Sequence, residues 1–296
     1  MSETLTRRSL LASVVFAAAF GGCAFGAAID EVQRRRLVRI PPRPPGAITG
    51  SAFANGTAKL SDVERQRRAA AELLSGNVPE FLRTLVPVGL GAAGLRRRQA
   101  ARQPGEHAAW IWVLPDYLAI GSDEDYLRMP LSLPRALEIC RAWDMFLPTR
   151  KMVDAVYAQA EVKLKPQPMP PGPRMRSSEY FLRHQKMIEA SRGNRPLGAL
   201  TAGHKKDIVL SKRLLRQPDR IAIYGWHRSI EDAIQPLSTV HGARYADYSH
   251  GVRLVDSTVL YDGAERRLDT LLVDAATAGI FSFEGGLPRQ LVLKRS

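Results

Sequence analysis

The sequence predicts an α+β fold: a helical N-terminal half interrupted by a hairpin, and a β-rich C-terminal half closed by a helix. Three observations predict it. Apolar residues recur at helical spacing in several stretches between 60 and 191. One aromatic-rich stretch, 108–131, alternates in polarity around the turn-former "GSDED". From 197 the pattern shortens to β-like runs such as "DIVLS", "RIAIYGWH" and "DYSHGVRLVDSTVLYDG". With 296 residues, 45% of them hydrophobic, the chain can bury a sizeable core in one large domain or two small ones.

The first 28 residues, "MSETLTRRSLLASVVFAAAFGGCAFGAA", carry an alanine-rich apolar run too short for a comfortable membrane span. Thr6-Arg7-Arg8-Ser9-Leu10-Leu11 resembles a twin-arginine export signal, with Leu10 in place of the usual Phe. Phe20-Gly21-Gly22-Cys23 resembles a lipoprotein cleavage box with Phe where Leu is usual, which implies Cys23 as the lipidated first residue of the mature chain. The resemblance implies an exported protein, periplasmic or tethered to the membrane through Cys23. Cys140 is the other of the chain's 2 cysteines, so lipidation or removal of Cys23 leaves no disulfide possible within the mature chain. It sits inside "RALEICRAWDMF" and reads as a buried thiol.

Residues 29–59 are rich in Arg, Pro and Gly, with Pro41, Pro42, Pro44 and Pro45 favouring extended geometry, and read as a removable tether. Residues 60–296 read as a single α+β domain. Its first helix, 60–76, has Ser61 as cap, Glu64 as capping-box partner and Gly76 as stop. Pro148 splits two further helices, 132–146 and 149–160. In the second, Met152, Val153 and Val156 share one face. The proline-rich 163–175 reads as a loop draped on the domain, 177–191 as a helix and 266–281 as the closing helix.

The net charge is +14, from 43 Lys and Arg against 29 Asp and Glu. No basic helix with interleaved aromatics appears, and the Arg triplets at 34–36 and 96–98 flank Ala-, Gly- and Pro-rich stretches. This pattern disfavours nucleic acid and fits attraction to an anionic cell-envelope polymer or membrane surface. The sequence contains no phosphate-binding glycine loop and no Gly-x-Ser-x-Gly elbow.

Of the 6 histidines, His204, His227, His241 and His250 crowd into 204–250, where even spacing would put about one. Each stands beside Gly, Trp, Tyr or Asp, neighbours typical of strand ends and turns. Imidazoles and one carboxylate are what a catalytic Zn²⁺ or another divalent ion takes, leaving a position for water. The candidate assignment makes His204, Asp207 and His250 catalytic, His227, His241 and Asp247 metal ligands, and Lys205, Lys206 and Tyr248 substrate-binding. Asp247 and His250 fall on opposite faces of a regular strand, so they share a site only if "DYSH" turns or Gly251 marks a bulge.

"STVHGARYAD", with "YGWH" upstream, resembles the zinc D-Ala-D-Ala peptidases, whose pattern is Ser-x-His-x-x-Gly-x-Ala-x-Asp followed by Glu-x-Trp-His. The His241–Asp247 spacing is one residue short, the glycine stands at 242, "YGWH" precedes rather than follows, and the family's glutamate has no counterpart. The resemblance implies His241, Asp247 and His227 as ligands. Together these features point to an exported envelope hydrolase with a His/Asp cluster, with or without a metal, cleaving an amide or glycosidic bond of a wall polymer. The alternatives are a non-catalytic tethered module binding an anionic envelope polymer, or metal-free His acid/base cleavage of a phosphodiester.

Overall fold

Two neighbouring strands of nearly continuous apolar residues, Thr84–Gly91 and Ala108–Val113, form the spine of the larger sheet. The computed structural model describes residues 36–91 and 107–292, within one compact unit, 35–296. The export-type segment 1–28, with Arg7, Arg8 and Cys23, and the tether residues 29–35 lie outside the described residues. The fold is mixed α+β.

In chain order, β1 (Arg36–Leu37) pairs antiparallel with β2 (Thr84–Gly91), and β2 with β3 (Ala108–Val113). β4 (Ala119–Gly121) and β5 (Tyr126–Arg128) form a hairpin of their own around 122–125. The hairpin is therefore shorter than the stretch 108–131, because β3 is claimed by the larger sheet. β6 (Met145–Phe146) lies at that sheet's far edge, and β7 (Val162–Lys163) pairs in parallel with β8 (Thr201–Ala202). The second sheet holds β9 (Lys206–Ile208), β10 (Ile223–His227), β11 (Ala233–Ser238) and β12 (His250–Gly251), in the order β11-β10-β9-β12. β13 (Val255–Asp256), β14 (Thr258–Tyr261) and β15 (Ala264–Arg267) return to the larger sheet.

The longer helices start where short polar side chains take the first free N–H groups. Thr49 caps α1 (Gly50–Gly56), Ser61 caps α2 (Asp62–Leu74), Thr149 caps α4 (Arg150–Gln159) and Ser177 caps α5 (Ser178–Arg192). α3 (Leu133–Ala142) instead begins with Pro134 in its first turn. α4 buries Met152, Val153 and Val156 and packs on both β2 and β10, so it ties the two sheets together. Among the described residues, no helix is long and apolar enough to cross a membrane.

Two expectations are corrected. Residues 36–59 are packed into the domain rather than forming a tether. Arg36 stacks on Trp112 at 3.5 Å and pairs with Asp256 at 3.4 Å, while Phe53 and Ala54 of α1 are buried. A Cβ on Gly50 would stand 2.3 Å from the Leu127 nitrogen, so only glycine fits that approach. The prolines do not all run extended: Pro44 O accepts from Ala47 N at 3.1 Å across a turn at Pro45 and Gly46, while Arg83 donates to Pro41 O at 3.0 Å and Arg43 to Asn77 at 3.0 Å. Arginine stems cover apolar surface here, which composition alone reads as linker.

The closing helix 266–281 is likewise divided. Asp262 (φ 51°) and Gly263 (φ 83°) form a left-handed two-residue turn that folds β15 back on β14 and takes Arg266 and Arg267 into the strand. The remainder forms α7 (Leu268–Val273) and α8 (Ala278–Phe281), split where the Asp274 side chain accepts from Ala276 N at 3.0 Å; a short α6 (Arg213–Arg216) lies earlier.

Candidate metal centre

Lys206 pairs with His250 in the parallel β9–β12 register, which brings the end of the "HGARYADYSHG" loop against "GHKKD". His250 N donates to Asp247 O at 3.0 Å, so "DYSH" is a turn, and the two side chains reach one point despite their spacing. One ligand atom from each of His241, Asp247 and His250 lies within 4.8 Å of the others. Asp247 is 1% and His250 0% exposed; His241 is half-buried.

The surrounding groups hold this trio in place. Asp247 Oδ1 accepts from Ser249 N at 2.8 Å and Ser249 Oγ at 2.6 Å, and Oδ2 accepts from the Tyr245 hydroxyl at 3.0 Å. The Tyr245 ring stacks on His241 at 4.1 Å and meets His250 nearly edge-on at 5.7 Å. Burial lowers the His250 pKa, Lys206 and His241 add to that shift, and Asp247 opposes it. Burial lowers His241 too. Burial alone would raise Asp247, but His250, the Ser249 hydrogen bonds and Lys206 hold it below its ordinary value. Neutral imidazoles and an ionised carboxylate are the protonation states a divalent cation requires.

The fit to a metal rests on His250. Both of its ring nitrogens are buried and neither has a hydrogen-bond partner among the described residues. Leaving a buried polar atom unpaired costs about 1–3 kcal/mol. A cation at the trio would satisfy one of them. Two imidazoles and a carboxylate are a donor set suited to Zn²⁺ with one position left for water.

Lys206 borders the trio. Its ammonium lies 4.8 Å over the Trp226 ring, and burial lowers its pKa against the pull of Asp247. Trp226 (φ 59°) follows Gly225 (φ 110°), and the β10–β11 register shifts between Ile223 and Gly225. This kink breaks strand alternation. Tyr224 and His227 both reach Asp154, at 2.7 Å and 3.2 Å, although a regular strand would send them to opposite faces.

The structure therefore gathers His241, Asp247 and His250, with Lys206 beside them, and separates the other candidates. His227, expected as a ligand, has its Nε2 against Asp154 and its ring stacked on Tyr157 at 4.5 Å; His250 takes the third place in the trio. Asp207 follows Lys206 on β9 and faces the other way, accepting from the Tyr117 hydroxyl at 2.8 Å, with burial raising its pKa to about 6. His204 is wholly buried, its Nε2 3.2 Å from Asp116 Oδ1 but out of hydrogen-bond alignment. Burial lowers its pKa to about 4 against the attraction of Asp116. Lys205 is buried as well. It donates to Tyr248 O at 2.5 Å, stands 3.2 Å from His184 Nδ1, and has its pKa lowered by burial to about 7. Tyr248, expected to bind substrate, is buried and anchors the proline-rich loop through Met169 N at 2.8 Å.

Sequence reasoning missed Tyr245 and Ser249 at the centre, and the buried array of Asp116, Arg128 and Arg192. Asp116 is the lone acid in "WIWVLPDYLAIG", and a charge isolated in an apolar run is the signal that could have found it. His184, outside the histidine-rich window 204–250, is fully buried against Lys205. No known protein family, curated protein or solved structure matches the chain.

Proposed function

We propose that this chain is an exported cell-envelope hydrolase that works with a divalent metal, zinc by the chemistry of the donors, held by His241, Asp247 and His250. The observation that carries the reading is the convergence of these three ligand atoms within 4.8 Å around a buried imidazole whose two nitrogens have no other partner. A bound divalent ion would supply a Lewis acid and lower the pKa of water enough for attack on a carbonyl near neutral pH.

The chain's own residues supply the rest. Ser249 and Tyr245 hold the Asp247 carboxylate in one orientation, and outer groups of this kind set ligand geometry. His241, Tyr245 and Lys206 are the half-buried members of the group, so substrate approaches past them while Asp247 and His250 stay sealed. An envelope location rests on the resemblance of Thr6–Leu11 to a twin-arginine signal and of Phe20–Cys23 to a lipoprotein box. The net charge of +14 suits an anionic wall polymer as partner.

The test is elemental analysis of the purified protein, followed by digestion of isolated wall polymer with and without a chelator. About one zinc or other divalent ion per chain, with chelator-sensitive release of fragments, supports the reading. A metal-free protein that cleaves the polymer unchanged in chelator would favour direct His/Asp acid–base chemistry. A metal-free protein that only binds the polymer would mark a tethered binding module.

A further inference from the structure

The ammonium of Lys206 is a half-buried charge beside the centre. It makes no hydrogen bond and no ion pair among the described residues, although it is half-buried and its stem lies within the second sheet. Asp247 attracts it from beyond ion-pair distance, so a half-desolvated ammonium keeps its donors free for a closer anion. Its cradle is the Trp226 ring at 4.8 Å, presented by the left-handed backbone at Gly225 and Trp226. A cation over an indole face is held in place but keeps its donors. Strained φ values of this kind cluster at functional sites.

The neighbours make the site electropositive. Arg176 lies 5.8 Å over Tyr245 and Arg220 donates to Val240 O at 2.6 Å, next to His241. Arg176 is offset by Asp62 at 2.9 Å. Within the trio, Asp247 is the single carboxylate, and a divalent ion would more than cancel it.

We propose that Lys206 is the specificity residue of the centre, its ammonium receiving an oxyanion that the substrate carries beside the bond to be cleaved. This rests on the proposed function. The substrate class is then an acyl or glycosyl compound with a carboxylate or phosphoryl group next to the scissile bond, and neutral analogues are poor substrates. Trp226 acts as a positioning residue that fixes the direction of the ammonium.

The test is calorimetric titration of the full chain with inorganic phosphate and, separately, with acetate, each with and without added Zn²⁺. Wild type, Lys206→Gln and Lys206→Arg are compared. Lys206→Gln should take up Zn²⁺ as wild type does and bind its preferred oxyanion about tenfold or more weakly, whereas Lys206→Arg should retain most of the affinity. Stronger binding of acetate than phosphate assigns the substrate group as carboxylate, and the reverse assigns it as phosphoryl. Failure to take up Zn²⁺ sinks the proposed metal chemistry alone, because Lys206-dependent binding to the metal-free protein would still establish the anion site. Oxyanion affinity equal in wild type and Lys206→Gln, in both metal states, or no oxyanion binding to wild type in either state, overturns the proposal.

Discussion

Asp116 Oδ2 accepts from Arg128 Nη2 at 2.7 Å and from Arg192 Nη2 at 2.7 Å, with Asp116 1% and Arg128 2% exposed. Burial would raise the Asp116 pKa, but Arg128 and His204 reverse that and hold it well below the carboxylate range. One carboxylate thus serves two buried guanidiniums, assisted by Glu189 at the half-exposed end of the array. Removing one partner of a buried pair strands the other charges. Asp116→Ala should cost about 3–5 kcal/mol in urea unfolding. A loss below about 1 kcal/mol would mean that water reaches the two arginines.

The same buried groups set the response to acid. His204 has its pKa lowered to about 4, and His184 lies well below its ordinary value, burial being the main cause for both. Between pH 6.5 and about 4 the unfolded chain binds protons that the folded imidazoles refuse, so stability falls as pH falls through that window. Asp207, raised to about 6 by burial, acts in the opposite sense between 3.8 and 6 and offsets part of the loss. Unfolding free energy measured at pH 7 and pH 4 should therefore drop in wild type. In His204→Gln the drop should shrink by about 3 kcal/mol. In Asp207→Asn it should grow. An unchanged pH dependence in His204→Gln would show that this imidazole is protonated in the folded protein.

Much of the frame was legible because local chemistry and tertiary packing agree. The caps at Ser61, Thr149 and Ser177 and the buried face of Met152, Val153 and Val156 follow from side-chain type and spacing. The histidine-rich window does contain the trio, and the condition stated for Asp247 and His250, a turn at "DYSH", is the one the backbone meets. Which imidazoles converge was not legible. It depends on the β9–β12 register and on the Gly225–Trp226 kink, both set by long-range pairing. Spacing also could not show that His204 and Asp207 are drawn to Asp116 and Tyr117, nearly ninety positions earlier in the chain.

Packing of the segment 36–59 makes a prediction a tether would not. Phe53 is 2% exposed in α1, which lies against α5 and the β4–β5 hairpin. Phe53→Ala should destabilise the protein by about 3–5 kcal/mol. Gly50→Val should also be destabilising, since its Cβ would overlap the Leu127 backbone. Denaturant midpoints equal to wild type for both variants would restore the tether.

Export is tested in the segment outside the described residues. Replacing Arg7 and Arg8 together by Lys should retain the protein in the cytoplasm, because the paired arginines are what a twin-arginine receptor reads. Cell fractionation gives the result, and normal export of the double variant would remove that assignment. Cys23→Ala should separately abolish membrane attachment; unchanged attachment would exclude lipidation.

The ligand set can be read without knowing the substrate. A ligand that binds only the folded state stabilises by about 2.7 kcal/mol at a hundred times its dissociation constant. For a domain of this size that is a rise in melting temperature of roughly 5–10 °C. Wild type should show such a rise on adding Zn²⁺, and His241→Ala, Asp247→Asn and His250→Ala should each lose it. His204→Ala and His227→Ala should keep it, since those imidazoles face Asp116 and Asp154 instead. Without metal, His250→Ala should differ little from wild type. The lost packing is set against removal of a buried ring with two unpaired nitrogens. A Zn²⁺ shift that survives His250→Ala but disappears in His227→Ala would replace the trio with the arrangement implied by the peptidase resemblance.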